Sequence, residues 1–248
     1  MRPLRAQLGM ELRLTLRRGE NLMVTLGIPV VLLLFLASVG FIPAPADGSP
    51  RLDQLVPGVL CLALISTGLV SLGIATAFER GNGTLKRLAG SPLPRWALVA
   101  AKTAAVAVTV VVQVLVLAGI GALLGWTPAG GLLVGLAAAA PWLLLGTIAS
   151  AAGGLLLAGL LRPEATLAVA NGLYLLILLL GGVVVPLVDL PGPVAGLTGA
   201  MPPALMTDLV RGALTPGGAT APFEALGLLA WTIALVAATL ATFRPEDG

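Results

Sequence analysis

The sequence predicts an all-α membrane protein of six spanning helices, and three observations carry that expectation. The first is where charge is missing. No Asp, Glu, Lys or Arg occurs over residues 21–46, 54–78, 103–161, 165–188 or 225–243. A spanning helix needs about 20 apolar residues. Four of these gaps fit one helix each. The gap over 103–161 fits two, divided at Trp126-Thr127-Pro128-Ala129-Gly130-Gly131. The second observation is composition: 58% of the chain is hydrophobic and 10% charged, against about 25% charged in soluble domains. Most helices of a soluble protein lie at the surface and keep a polar face. The third is the placement of Lys and Arg. With a cytoplasmic N-terminus, the inner side carries Arg2, Arg5, Arg13, Arg17, Arg18, Arg80, Lys86, Arg87, Arg95, Lys102, Arg162 and Arg244, and the outer side only Arg51 and Arg211. Basic loops stay in the cytoplasm, and six spans place both termini there. The expected location is therefore the cell membrane, multi-pass. The net charge of +3 sums a basic inner face and an acidic outer one, so it indicates no nucleic-acid partner.

Residues 1–20 come first. Leu4, Leu8, Leu12 and Leu16 recur every four residues, with Arg2, Arg13 and Arg17 on another face. This predicts an amphipathic helix lying on the inner leaflet; the alternative is a disordered basic tail that only sets topology. Basic residues before an apolar run, with Ala44-Pro45-Ala46 beyond it, also resemble a signal peptide. The run is long for an h-region and five further spans follow, so the segment is expected to be retained. The spans are drawn at 22–42, 55–77, 97–125, 132–161, 167–188 and 225–243. The third and fourth exceed what a bilayer needs, which predicts tilt or protruding turns. Cys61 is alone in the second span, so no internal disulfide can form; it reads as a small apolar packing residue.

Arg162-Pro163-Glu164 is a tight inner turn. The outer segment 186–223 holds Pro186, Pro191, Pro193, Pro202, Pro203, Pro216 and Pro222, too many for one continuous helix. Within it, 204–214 has helical periodicity. Leu205, Met206, Leu209, Val210, Ala213 and Leu214 share one face, and Asp208 and Arg211 the other, three residues apart. Pro203 suits the first turn. The expectation is a short amphipathic helix dipping into, or lying on, the outer surface. Glycine pairs four apart occur at Gly121/Gly125, Gly131/Gly135 and Gly192/Gly196, but a chain with 32 glycines produces such pairs by chance.

The chemistry available is sparse. The chain has no His, which removes the usual haem and zinc ligands and the commonest general base. No Gly-x4-Gly-Lys-Ser/Thr string occurs, so there is no P-loop for ATP. No ionisable residue lies mid-span, where proton-coupled transporters keep theirs. The spans offer uncharged polar groups: Gln113, Asn171, Ser66, Thr67, Ser71, Thr109 and Thr147. Each reads first as an interhelical hydrogen-bonding residue, with Gln113 and Asn171 as candidate contacts along a translocation path. No catalytic, cofactor or metal site is expected, and the chain does not read as an enzyme. Energy for uphill transport would come from a partner. The alternatives are an ATPase-independent channel or transporter, and a membrane scaffold subunit.

The basic loop over 78–96 is where a partner would grip. Gly81 and Gly83 permit a sharp exit from the second span. Residues 84–89 predict a short helix exposing Lys86 and Arg87, stopped by Ser91-Pro92-Leu93-Pro94. Arg95 and Trp96 anchor the third span, and Lys102 is placed to snorkel to the same level. Topology needs the charges but not this turn, helix and stop, which points to docking.

The string Phe78-Glu79-Arg80-Gly81-x-Gly83-Thr84-Leu85-Lys86-Arg87-Leu88, followed by Ser91-Pro92-Leu93-Pro94-Arg95-Trp96 and Lys102, resembles the first cytoplasmic loop of type-two ABC exporter permeases, such as those of drug-resistance and polysaccharide or lipid export systems. Pro202-Pro203, then an amphipathic helix with Arg211 before the last span, also resembles that family. Asn82 departs from the larger or charged residue that often stands there. The resemblance implies that the loop seats a coupling helix in a groove of a separate ATPase, through Glu79, Arg80, Gly83, Thr84, Leu85, Lys86, Arg87, Leu88, Pro92 and Arg95. It further implies two membrane subunits, identical or homologous, above two ATPases that hold ATP and Mg. This chain itself would bind no cofactor. The N-terminal helix would help hold the ATPase. The outer segment, with Pro202, Pro203, Asp208 and Arg211, would shape an exit gate. A hydrophobic drug, lipid or lipid-linked glycan would pass between the membrane subunits.

Overall fold

A computed structural model describes residues 19–39, 50–84, 95–181 and 191–242. Its elements are all helices: α1 Gly19–Val39, α2 Arg51–Gly81, α3 Arg95–Leu123, α4 Leu132–Leu160, α5 Pro163–Leu180, α6 Gly192–Gly199, α7 Pro202–Leu214 and α8 Pro222–Thr242. Five of them, α2, α3, α4, α5 and α8, are long and apolar enough to cross a membrane. In α1 the apolar stretch described is Thr25–Val39. The expected surface helix over 1–20 lies outside the described residues but for its last two, which open α1.

The helix starts differ from those expected, and proline explains why. Helices α5, α7 and α8 each begin on a proline, Pro163, Pro202 and Pro222. The first helical position has no partner for an N–H and favours a φ that proline already holds. In α5 and α8 the polar residues soon after the proline, Glu164 and Glu224, therefore belong to the helix. The turn between α3 and α4 falls where expected, and Gly125, Gly130 and Gly131 take φ of 95°, 69° and 85° there, a region closed to most side chains.

Helix α2 is the axis of the bundle. Its most apolar stretch is 72% buried, against 11% for α5. Val56, Val59, Leu60, Leu64 and Ile65 of α2 share a core with Val106, Val110 and Leu117 of α3, Leu143 of α4, Leu205, Met206 and Leu209 of α7, and Leu228 of α8. Water expulsion does not drive this association within a bilayer, where lipid tails are as apolar as leucine; close packing and interhelical hydrogen bonds do. A close backbone approach joins α2 to α4. A Cβ on Gly73 would lie 3.0 Å from the Gly154 carbonyl oxygen, and one on Gly154 would collide with the Gly68 carbonyl oxygen. A π-helical stretch, Ser66–Ser71, interrupts α2 here. Its wider turn lets Gly68 and Gly73, five apart, both meet α4.

The described part of the segment expected on the outer side, 191–221, forms two helices, α6 and α7, rather than the single one expected. Ala200, between α6 and α7, accepts a hydrogen bond from Trp231 Nε1 at 3.0 Å, and Trp231 lies near the middle of α8. Met206 of α7 sits on Gly146, where any Cβ would strike its sulfur, and Gly146 is near the middle of α4. At the other end of α7, the Leu214 carbonyl accepts from Ala129 N–H at 2.8 Å, in the α3–α4 turn. The tip between α6 and α7 thus reaches mid-depth in the bundle, and α7 returns to its end. The buried face, with Leu205, Met206, Leu209, Val210 and Leu214, is the one that periodicity assigns.

Candidate functional site

The end of α2 that leads toward the basic loop is tied to three other helices. Lys102 of α3 donates from Nζ to Glu79 Oε2 at 2.7 Å. The lysine is 2% exposed and the glutamate 21%. Lys102 therefore turns inward onto α2 rather than snorkelling outward, because a carboxylate inside the bundle offers it a partner. Arg80 reaches the opposite way. Its guanidinium donates to the Gly159 carbonyl and, at 2.9 Å, to the Leu161 carbonyl. Those oxygens close the C-terminal end of α4, which has no intrahelical donors left and carries the negative end of the helix dipole. Gly81 lies against Pro163, the first residue of α5, close enough that a Cβ would stand 2.9 Å from the proline ring. Three consecutive residues, Glu79, Arg80 and Gly81, thus meet α3, α4 and α5 in turn.

Beyond this junction the chain turns through Asn82 and Gly83, whose φ is 69°, and Thr84 is exposed. Leu85, Lys86, Arg87, Leu88 and Pro92 lie outside the described residues. Arg95 opens α3. The expected coupling residues therefore divide in two. Glu79 and Arg80 hold the bundle end together, while Gly83 and Thr84 lead away from it.

Gln113 and Asn171 are not brought together. Gln113 of α3 is 1% exposed. Its Oε1 accepts from the Thr67 hydroxyl and its Nε2 donates to the Thr25 carbonyl, both at 3.0 Å. It joins α1, α2 and α3 at the π-helical stretch. Asn171 is exposed on α5, with its amide donating to the Leu167 carbonyl one turn back at 2.8 Å.

Pro202 and Pro203 form the first turn of α7 at its deep end. Asp208 and Arg211 pair at 3.3 Å, both half-buried. Burial raises the Asp208 carboxyl above its ordinary range, and the Arg211 charge opposes that shift. Among the described residues no group of His, Cys, Asp and Glu is arranged to hold a metal ion.

Sequence reasoning missed the contact of Gly68 and Gly73 with Gly154. Half of it was legible, since Gly146, Ser150 and Gly154 recur every four residues along α4, a small-residue stripe suited to close packing. The other half was not, because glycines five apart share a face only through the π turn.

Comparison with known proteins adds one match. The model of the family described as ABC-2 type transporter matches residues 4–215. No curated protein matches the chain.

Proposed function

The chain belongs to the ABC-2 type transporter family and is a transmembrane permease; from that premise we propose that it forms the translocation path of an ATP-driven exporter. ATP and Mg are held by a separate ATPase subunit, two per complex, which grips the loop over 78–96. In this reading six helices span the membrane, α1 among them, both termini are cytoplasmic, and the junction of Glu79, Arg80 and Gly81 faces the cytoplasm. The tilted fit of a 31-residue α2 in a hydrocarbon layer about 30 Å thick leaves its end free to protrude toward the ATPase.

The observation that supports this reading most is the junction itself. A push on the loop reaches α2 first. The Glu79–Lys102 pair carries it to α3, the Arg80 contacts to α4, and Gly81 against Pro163 to α5. A loop that only set topology would need charge but not these ties. The amphipathic α7, with Asp208 and Arg211 near its outer end, then serves as the exit gate.

A second membrane subunit covers the outward face of α5. That face carries Asn171, Leu175, Leu176 and Leu179 in the open, and Gly172 meets nothing within 4 Å. A polar amide facing hydrocarbon is costly, so a partner subunit or a passing substrate suits it better than lipid tails. The substrate proposed is apolar or lipid-linked, since the spans offer it no mid-depth charge.

The decisive experiment is a pull-down with a candidate partner ATPase, comparing wild type with a variant carrying Leu85→Pro, Lys86→Glu and Arg87→Glu. Weakened ATPase binding and lost export, in a protein that still inserts, is the expected result. Unchanged binding and transport would sink the coupling role.

A further inference from the structure

A cavity of about 240 Å³ lies under the re-entrant tip. Its floor is a run of small residues of α4, Gly146, Ala149, Ser150 and Gly153. The π-helical stretch and α5 form one side, and α8 the other. Pro202, Pro203 and Met206 of the tip roof it over. Ser150 supplies the single polar side chain of the lining. Leu173, on the α5 wall, is 38% exposed, so the cavity opens sideways toward the bilayer.

Three occupants can be weighed by size and polarity. Water needs two to four polar partners in a confined site, and this lining offers one hydroxyl. A helix of a second copy is about 10 Å across, and even two turns of it fill several times the space. A hydrocarbon chain fits both tests. A cavity of about 150 Å³ already holds a benzene ring when its lining is apolar, and this larger one faces a solvent made of hydrocarbon chains. We propose that the cavity binds one acyl chain of a bilayer phospholipid, which wedges beneath the Pro202–Pro203 turn and supports the re-entrant tip.

This site is separate from the path proposed between subunits. Leu173 and Ile177 face it from one side of α5; Asn171 and Leu175 lie on the other, as the spacing of 3.6 residues per turn requires. It also stands whether or not an ATPase binds, so its test needs none.

The test is photolabelling of the purified, reconstituted permease by a phosphatidylcholine bearing a diazirine midway along one acyl chain. Peptides containing Gly153, Leu157 or Pro203 are expected to carry the label. Gly153→Leu should cut that labelling several-fold, since Gly153 lines the cavity and a Cβ there stands 3.4 Å from Leu69 Cδ1, another lining residue. Gly172→Leu, on the outward face of α5, should leave it unchanged. Leu157→Phe, which fills the same space from another residue, is the second variant should the first fail to fold. Equal labelling in wild type and filled variants would overturn the proposal. So would label confined to Leu175 and Leu179, which is the pattern of lipid merely surrounding the protein.

Discussion

At the residue scale, the consequential feature is a buried charge with a single described carboxylate partner on a neighbouring helix. Lys102 is almost wholly enclosed, and an ion pair so placed is costly to break by halves. Removing one partner leaves the other uncompensated, at about 3–5 kcal/mol. Lys102→Met should therefore destabilise the permease strongly. Glu79→Gln combined with Lys102→Met should recover much of that loss while still separating α2 from α3, because neither member of this pair is then left charged without the other. Thermal unfolding in detergent reads the first effect, and a double-mutant cycle reads the coupling. Should the double variant be as unstable as Lys102→Met alone, the pair is not the tie that its 2.7 Å distance suggests. The same scale holds the glycine contact. Gly154→Ala places a methyl group on the Gly68 carbonyl, and overpacking of this kind costs about 1–3 kcal/mol. Gly119→Ala, where nothing lies within 4 Å, is the control and should be neutral or slightly stabilising. Equal unfolding temperatures for the two variants would remove the contact's importance.

At the scale of elements, each helix can be judged by which of its faces is used. Helix α2 is covered on nearly every side, α7 on one, and α5 on little more than a stripe including Thr166 and Ala170. The second subunit proposed above would cover the open side of α5, where Asn171, Leu175, Leu176 and Leu179 are exposed. A single cysteine at Asn171, in a Cys61→Ser background, is expected to form an oxidised dimer in membranes. A cysteine at Ala149, buried in the cavity floor, should not. Absence of the Asn171 dimer would move the subunit interface to another helix. Helix α7 shows how much of an element can be read in advance. Its apolar face, its paired Asp208 and Arg211 and its proline start were legible from spacing alone. Its depth was not. Amphipathic periodicity says that one face is buried, and is silent on whether it is buried in lipid at the surface or against Gly146 within the bundle.

At the scale of the whole molecule, the two ends differ in construction. One end gathers Arg80, Lys102 and the α5 start into a junction between helices; the other is closed by the glycine turn after α3 and the return of α7. The cavity, α7 and the π-helical stretch lie between them, all against α4. A displacement entering at the junction thus has a continuous packed route to the tip of the re-entrant pair. The sequence by itself determined the helical class, the long apolar spans and the family resemblance, because each depends on local properties: runs without charge, apolar stretches of spanning length, and a motif of adjacent residues. It also marked the residues of the junction, though for docking. The tertiary structure alone decided that Glu79 and Arg80 turn inward, that Gln113 is spent on two neighbouring helices, and that α7 descends to mid-depth. Those outcomes depend on what another helix presents at the same level, and a partner distant in sequence leaves no trace in local pattern.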